Sequence, residues 1–351
     1  MKKQLASLII LGAMVVVSPV FAQLEADLGK AVDKQITEND FSGIVTVTKN
    51  GAKLYEKIAG YADEQTRVPI TEKTRFSLGS IGKFFTGILI MNLIEEEKVN
   101  VDDPVNKYLP EWHIPNGDKI KVSHLLTHTS GLGGYMGTPE HNALRGGKAN
   151  IDDLMKIIVS RPLQFDEPGS KHAYSNSGFI VLGKIIEKIE SKSYYEVLQD
   201  RILIPLQMDK STFDIDLANA NEFAKGYAKD RSGNVTAMKD IIPPSADGGL
   251  FTTVGDMLKF DRGVFENKII SKKMLSEMET GRSSSYGYAT MITRLSNGVG
   301  YGHNGGMPGY EAEYRHFFIG KDQYTVIILT NHDRKATQMM AVLETVLEEI
   351  H

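Results

Sequence analysis

Phe76-Ser-Leu-Gly-Ser80-Ile-Gly-Lys83 opens the segment that decides how this chain folds. It leads directly into Phe-Phe-Thr-Gly-Ile-Leu-Ile-Met-Asn-Leu-Ile, which is apolar on nearly every side. A surface helix keeps one polar face, so this pattern predicts a helix over residues 81–97 that is buried inside the protein. Residues three apart share a helix face, so the Ser80 hydroxyl and the Lys83 amine are expected to meet there.

This pair has the chemistry of a nucleophile and its base. Ser80 is the only serine of the chain with a lysine three residues later. A lysine near the start of a buried helix is partly desolvated, which favours the neutral amine that takes the serine proton. The helix N-terminus also favours negative charge on oxygen. Because a Ser-x-x-Lys spacing arises about once by chance in a chain of this length, the pair alone does not establish an enzyme.

The N-terminus has the pattern of a secretory signal. Two lysines follow Met1, an apolar run covers residues 5–20, and Ala22 precedes Gln23. We therefore expect residues 1–22 to be a signal peptide and the protein to be exported, either periplasmic or extracellular. The apolar core of residues 9–17 is short for a spanning helix, and no later segment is long enough. No stable membrane span is expected once the signal is removed.

The composition is that of an ordinary globular enzyme. Of the 351 residues, 41% are hydrophobic and 24% are charged, which excludes a disordered or fibrous chain. The formal net charge of -4 gives no reason to expect nucleic acid as a partner. The absence of cysteine excludes disulfides, thiol catalysis and thiolate zinc sites. We expect no metal and no cofactor.

Strand patterns lie at both ends of the chain and helix patterns lie between them. Asn50-Gly51 separates two alternating runs and predicts a hairpin. Further strands are predicted at residues 286–295, 299–301, 310–319 and 323–330. Further helices are predicted at residues 24–37, 123–127, 151–160, 177–190, 193–201, 254–265 and 335–349.

The order of these elements predicts an α+β fold. One antiparallel sheet is assembled from both termini and flanked by helices, and a mostly helical insertion forms a second lobe. We assign residues 23–78 and 246–351 to the lobe with the sheet, and residues 79–245 to the helical lobe. The active site is expected in the cleft between the lobes.

Two later segments carry groups that a serine hydrolase needs. Tyr174-Ser-Asn176 lies in a polar turn before a helix, where a phenol can shuttle a proton and an amide can hold a substrate peptide. The same turn also fits a capped helix start with a half-buried tyrosine. In Tyr301-Gly-His-Asn-Gly-Gly-Met-Pro-Gly309, the glycines let a substrate strand approach the backbone closely. This segment also fits a loop with a surface histidine.

Taken together, these motifs resemble those of the serine beta-lactamase and penicillin-binding protein superfamily. The resemblance is to its class C beta-lactamase and D-alanyl-D-alanine carboxypeptidase branch, family S12, and it covers essentially the whole mature chain. The three motifs, in this order, are Ser80-x-x-Lys83, Tyr174-x-Asn176 and His303-x-Gly305. Connecting phrases typical of the family are Leu125-Leu-Thr-His-Thr-Ser-Gly-Leu132, Pro168-Gly-Ser170 and Gly248-Gly-Leu-Phe-Thr-Thr253.

The resemblance implies a beta-lactamase/transpeptidase-like fold and an acyl-enzyme mechanism. Ser80 would attack a carbonyl, with Lys83 and Tyr174 sharing its proton and Tyr174 passing it to the leaving group. Asn176 would hold the substrate amide. The oxyanion hole would be formed by the backbone N–H groups of Ser80 and Gly306, in the strand that carries His303 and Gly305.

His303 departs from the beta-lactamase pattern, because those enzymes usually carry lysine at this place. Histidine is mostly neutral at pH 7, so it would anchor a substrate carboxylate less strongly. The resemblance therefore implies a carboxypeptidase, D-aminopeptidase or esterase acting on a D-amino-acid peptide or a simple ester. A true class C-like beta-lactamase is the alternative.

Two other interpretations remain at this point. His124-Leu-Leu-Thr-His128 has the i, i+4 spacing of a zinc site, but the glutamate of a His-Glu-x-x-His protease is absent, which favours structural histidines below the active site. A non-catalytic relative would use the same cleft to bind cell-wall fragments. The presence of Ser80 and Lys83 argues against such a binder, since binding alone does not require a lysine beside a serine.

Overall fold

The computed structural model describes residues 19–146, 150–219, 221–229, 232–239, 241–283 and 285–350, with side chains from residue 22 onward. The predicted signal peptide falls outside these residues except for its last positions. These belong to helix α1, Pro19–Asn39, which runs through Ala22. No helix among the described residues has the length and apolar character needed to cross a membrane.

The helices that follow α1 are α2 Gly82–Glu95, α3 Val122–Leu126, α4 Pro139–Asn142, α5 Ile151–Val159, α6 Asn176–Glu190, α7 Tyr194–Leu198, α8 Val254–Phe265, α9 Lys272–Glu279 and α10 Ala336–Glu348. The strands are β1 Gly43–Lys49, β2 Ala52–Ala59, β3 Tyr61–Asp63, β4 Val68–Pro69, β5 Phe76–Ser77, β6 Tyr227–Lys229, β7 Val235–Ala237, β8 Phe251–Thr252, β9 Met291–Leu295, β10 Gly298–Met307, β11 Tyr310–Ile319 and β12 Asp322–Thr330.

A six-stranded antiparallel sheet joins the two ends of the chain, in the order β2-β1-β12-β11-β10-β9. The predicted hairpin is confirmed, because Asn50 and Gly51 have φ values of 50° and 78° and link the paired residues Lys49 and Ala52. Positive φ at both turn residues matches the twist of the flanking strands. The α+β fold predicted from the sequence is confirmed.

Both faces of this sheet are covered, which explains the unbroken apolar run in β12. Val326 and Ile328 pack on one face with residues of α1 and α10. Ile327 and Leu329 pack on the other face in a cluster shared with α2 and α6. A strand buried on both sides has no solvent-facing positions to fill with polar residues. The core on the second face is continuous from the sheet into the helical insertion.

Helix α2 is the buried helix that the opening segment predicts. Its residues from Gly82 to Met91 are all buried, including Lys83. A 3₁₀ turn at Gly79–Ile81 precedes it and carries Ser80. The turn packs against β10, so the first residues of the buried helix meet the edge of the sheet.

Several element boundaries differ from the sequence predictions. Residues 286–290 are irregular rather than the start of β9, and Ala289 there adopts a positive φ of 54°. Strand β10 extends to Met307, well beyond the predicted 299–301, because pairing with β11 outweighs the low strand propensity of its glycines. The helix predicted at 193–201 is interrupted by a π turn at Gln199–Leu203. Helix α9 was not predicted.

Candidate active site

The structure brings Ser80 and Lys83 together at the start of α2. Lys83 Nζ donates to Ser80 Oγ at 3.2 Å and to the backbone oxygen of Asp247 at 2.6 Å. The lysine is fully buried, whereas Ser80 is partly exposed. An amine held between a serine hydroxyl and a carbonyl is placed to take the serine proton as the oxygen attacks.

Glycines allow three chain segments to meet around the Ser80 backbone. A Cβ on Gly305 would lie 1.9 Å from the Leu78 carbonyl oxygen and 2.8 Å from Ser80 N. A Cβ on Gly248 would lie 2.3 Å from the oxygen of Gly79. Real Cβ atoms do not approach backbone this closely, so β10 and residues 247–249 pack on the Ser80 turn only because these side chains are missing.

We expect Gly305→Ala to lower the free energy of unfolding by about 2 kcal/mol or more, because its methyl group collides with the backbone of Leu78 and Ser80. The matched control is Gly306→Ala, since a Cβ there meets nothing within 4 Å. We expect this control to change the free energy of unfolding by less than about 0.5 kcal/mol. Urea unfolding of the two variants makes the comparison. Equal losses would show that the close packing of β10 on the Ser80 turn is wrong.

The register of β10 shows where the Gly306 N–H is directed. Gly298 pairs with Leu295 and Met307 pairs with Tyr310, each across a two-residue turn. Such flanking residues exchange hydrogen bonds, and the direction alternates along the strand, so even-numbered residues of β10 face β9. Pairing with β9 stops at Gly302, so among the described residues the Gly306 N–H faces an edge that no strand occupies.

The Ser80 N–H also has no hydrogen-bond partner in the described part of the chain. Gly79 holds the two amides close together, since a Cβ on Gly79 would lie only 2.6 Å from Gly306 N. Two free backbone donors beside a nucleophile have the character of an oxyanion hole.

Tyr174 lies beside the lysine, its ring centre is 6.5 Å from that of His303 in β10, and Asn176 follows two residues later. Tyr174 is 47% exposed. Lys83 Nζ lies 5.1 Å from the centre of the Tyr174 ring. Asn176 begins α6 and donates through Nδ2 to Met136 Sδ at 2.9 Å. Its buried Oδ1 has no partner among the described residues and is free to accept from a substrate amide.

His128 packs against Tyr174 and fixes the backbone on both sides of it. Its backbone oxygen accepts from Ala173 N at 2.8 Å and its Nδ1 accepts from Ser175 N at 3.0 Å, so the histidine bonds to both neighbours of the tyrosine. The two rings are in contact, with centroids 4.2 Å apart and planes tilted by 31°. Burial, with the nearby Lys83 charge, lowers the pKa of His128 to about 2 and keeps it neutral. Helix α3 ends at Leu126, so His124 and His128 do not share a helix face as the alternative zinc interpretation would require.

His303 is fully buried, and both of its ring nitrogens are occupied. Nδ1 donates to the Asn304 oxygen at 2.5 Å, so in the neutral ring Nε2 accepts from the Tyr286 hydroxyl at 2.8 Å. Burial lowers the pKa of His303 to about 3, against the opposing effect of its bond to Asn304. In this arrangement His303 has no free donor for a substrate carboxylate. His303 therefore links the β10 backbone to the Tyr286 hydroxyl through its two hydrogen bonds.

Sequence reasoning missed Asp247 and Tyr286. Asp247 is buried, its backbone oxygen binds Lys83, and its Oδ2 accepts from the Tyr135 hydroxyl at 2.8 Å. Asp247 directly precedes the Gly248-Gly249 motif, and this position was the one sequence signal that could have pointed to it. Tyr286 lies 17 residues before His303 and belongs to no short motif, so only the fold brings them together.

A cavity of about 110 Å³ opens beside Ser80. Ser80, Asp247 and the glycines of the turn and of β10 form one side of it. The remaining wall is apolar and consists of Met136, Ile242, Pro243, Met307 and Pro308. A small acyl group attached to Ser80 would enter a space bordered by apolar side chains and by Asp247.

Comparison with known proteins agrees with this geometry. A family model described as Beta-lactamase matches residues 21–347. The chain belongs to the beta-lactamase family. It is 31% identical over 312 residues to the putative penicillin-binding protein PbpX of Bacillus subtilis (strain 168), covering 88% of this chain and 75% of that protein.

Two further relatives of this beta-lactamase family member support the family assignment. It is 29% identical over 310 residues to the teichoic acid D-alanine hydrolase of Staphylococcus aureus (strain MRSA252), covering 86% of this chain and 73% of that protein. The octameric penicillin-binding protein homologue from Pyrococcus abyssi superposes with a TM-score of 0.80 at 29% identity, covering 92% of this chain and 76% of that chain. The predicted resemblance is confirmed, and the protein is a serine hydrolase of this family.

Proposed function

We propose that the protein hydrolyses D-alanyl or similar D-amino-acyl esters, amides or peptides through an acyl-enzyme on Ser80. The observation that carries the proposal is the 3.2 Å contact between Ser80 Oγ and the buried Lys83 amine, next to the unpaired N–H edge of β10. A relative that is a teichoic acid D-alanine hydrolase supports the substrate class. The pattern of residues 1–22 supports action outside the cytoplasm, in the periplasm or beyond the cell.

In the proposed reaction, Ser80 Oγ attacks the substrate carbonyl while Lys83 Nζ accepts the serine proton. The N–H groups of Ser80 and Gly306 stabilise the oxyanion, and Asn176 holds the substrate amide. The proton passes through Tyr174 to the leaving alcohol or amine as its bond to the carbonyl carbon breaks. Water then attacks the acyl-serine ester, which releases the acid and restores Ser80.

Cleft shape and charge favour this chemistry over beta-lactam hydrolysis. The position that usually carries a lysine in beta-lactamases holds His303, which is neutral and fully engaged with Asn304 and Tyr286. A beta-lactam carboxylate would therefore meet no cation at this position. The cavity beside Ser80 is also small, at about 110 Å³, which suits a short acyl group.

A panel of four substrates tests the proposal: nitrocefin, a D-Ala-D-Ala peptide, a D-alanyl ester and the matching L-alanyl ester. We expect the D-alanyl ester to have the highest kcat/KM and nitrocefin the lowest. The same assay on fractions of expressing cells is expected to find the activity outside the cytoplasm. Nitrocefin turned over fastest would establish the class C-like beta-lactamase alternative, and no turnover of any substrate would favour a binding protein.

A further inference from the structure

Asp247 is a buried carboxyl group beside the nucleophile, and the proposed reaction uses only its backbone oxygen. Asp247 is buried, with 5% of the residue exposed, and it is among the residues that line the cavity next to Ser80. Lys83 Nζ lies 3.2 Å from Ser80 Oγ and 2.6 Å from the Asp247 oxygen, so both residues are within a few ångströms of one amine. Asp247 therefore borders the space that an acyl group on Ser80 would enter.

No cation of the described residues forms an ion pair with this carboxyl group. Lys83 bonds to the backbone oxygen instead, and burial lowers the pKa of the nearby His141, which keeps that ring neutral. The one side-chain partner is the Tyr135 hydroxyl, which donates to Oδ2 at 2.8 Å. Desolvation raises the pKa of Asp247, although Lys83 and Tyr135 oppose this effect. Burying an acid without a cation to pair with it costs stability.

The hydrogen bond to Tyr135 does not by itself explain why this residue is an acid. An asparagine would accept the Tyr135 hydrogen bond equally well through its amide oxygen, without the cost of a buried carboxylate. What an asparagine lacks is the ability to neutralise a cation. The chemistry of the site thus points to a positively charged group that is absent from the free protein and arrives with the substrate.

The rest of the cavity wall indicates how large that group is. Its other side is formed by Met136, Ile242, Pro243 and two residues at the β10–β11 turn, all apolar, and its volume is about 110 Å³. A single carboxyl group in a small apolar cavity matches a ligand with one cationic centre and a short hydrocarbon group. A 2-aminoacyl group has this composition, and its ammonium is two bonds from the carbon that Ser80 attacks.

We propose that the Asp247 side chain binds the α-ammonium group of a 2-aminoacyl substrate and selects substrates whose amino group is free. This inference rests on the proposed function and specifies its substrate. The methyl group of a D-alanyl substrate packs on the apolar wall. If Asp247 is protonated before binding, its proton is released to solvent as the ammonium group takes its place. Substrates with a blocked or missing amino group lose this contact.

The test compares two esters of one alcohol, the D-alanyl ester and the isobutyryl ester, in which a methyl group replaces the ammonium. We expect Asp247→Asn to lower kcat/KM for the D-alanyl ester by about 30-fold or more, and that for the isobutyryl ester by less than about threefold. Asp209→Asn, at an exposed aspartate, is the matched control and should alter neither value. Equal losses on both esters, or no loss on either, would overturn the proposal.

Two further measurements distinguish a failure of the ammonium site from a failure of the proposed function. Turnover of the isobutyryl ester by the wild-type protein, and its loss in Ser80→Ala, tests the proposed function without involving Asp247. Where Asp247→Asn does not fold, inhibition of isobutyryl ester hydrolysis in the wild-type protein serves instead. We expect D-alaninamide to inhibit at a concentration at least about tenfold lower than isobutyramide. Equal inhibition by the two amides would contradict an ammonium site.

Discussion

Ser80→Ala is expected to lower kcat for ester hydrolysis by about 10⁴-fold or more, because removing the nucleophile removes the covalent route. The Ser80 hydroxyl is partly exposed at the cleft and accepts from Lys83, and alanine replaces it without adding volume. The fold should therefore be unchanged, and the free energy of unfolding should stay within about 1 kcal/mol of the wild-type value. Steady-state hydrolysis of the D-alanyl ester measures the loss.

The control for this variant is Ser276→Ala, which removes an exposed hydroxyl from α9, away from the cleft. It should hydrolyse the ester at the wild-type rate. Residual activity in Ser80→Ala at a tenth of the wild-type rate would assign the nucleophile to another residue or to water.

Lys83→Met is expected to slow acylation of Ser80 by about a hundredfold or more, the typical contribution of a general base. Methionine is close to lysine in length and apolar, so it fills the same buried space without the amine. No other amine of the described residues bonds to Ser80 Oγ to replace it. The rate of covalent labelling by a fluorophosphonate follows the acylation step alone.

Substitution at Lys83 also leaves the Asp247 oxygen without its 2.6 Å partner. Because an unsatisfied buried carbonyl costs about 1–3 kcal/mol, part of the effect appears in the free energy of unfolding and must be measured beside the rate. Lys73→Met, at an exposed lysine, is the control and should label at the wild-type rate. Wild-type labelling in folded Lys83→Met would move the base role elsewhere.

The local part of this site could be predicted from sequence, because its geometry depends on neighbours along the chain. Ser80 and Lys83 meet through the start of one helix, and the Asn50-Gly51 hairpin forms from its own turn preference. The length of the apolar run was enough to predict that α2 is buried. Each of these features depends on fewer than about twenty consecutive residues.

The distant part of the site depends on packing that no short motif contains. His303 was expected to be available to substrate, yet β10 places it in the interior with Tyr286. The position of Asp247 follows from Gly248 packing against the Ser80 turn, which is a contact between segments far apart in the chain. Tyr174, Asn176 and Gly306 lie near Ser80 or Lys83 as the motifs predict, and the roles assigned to them remain proposals. The division into lobes at residues 79 and 245 also remains a proposal.

We propose that Ser80 is the residue that becomes acylated, with the N–H groups of Ser80 and Gly306 facing the developing charge. The most direct measurement is intact-mass spectrometry of the protein after reaction with a fluorophosphonate, followed by peptide mapping. We expect one added phosphonyl group, located on Ser80, and no addition in Ser80→Ala. An unmodified wild-type protein, or a label that persists in folded Ser80→Ala, would contradict it.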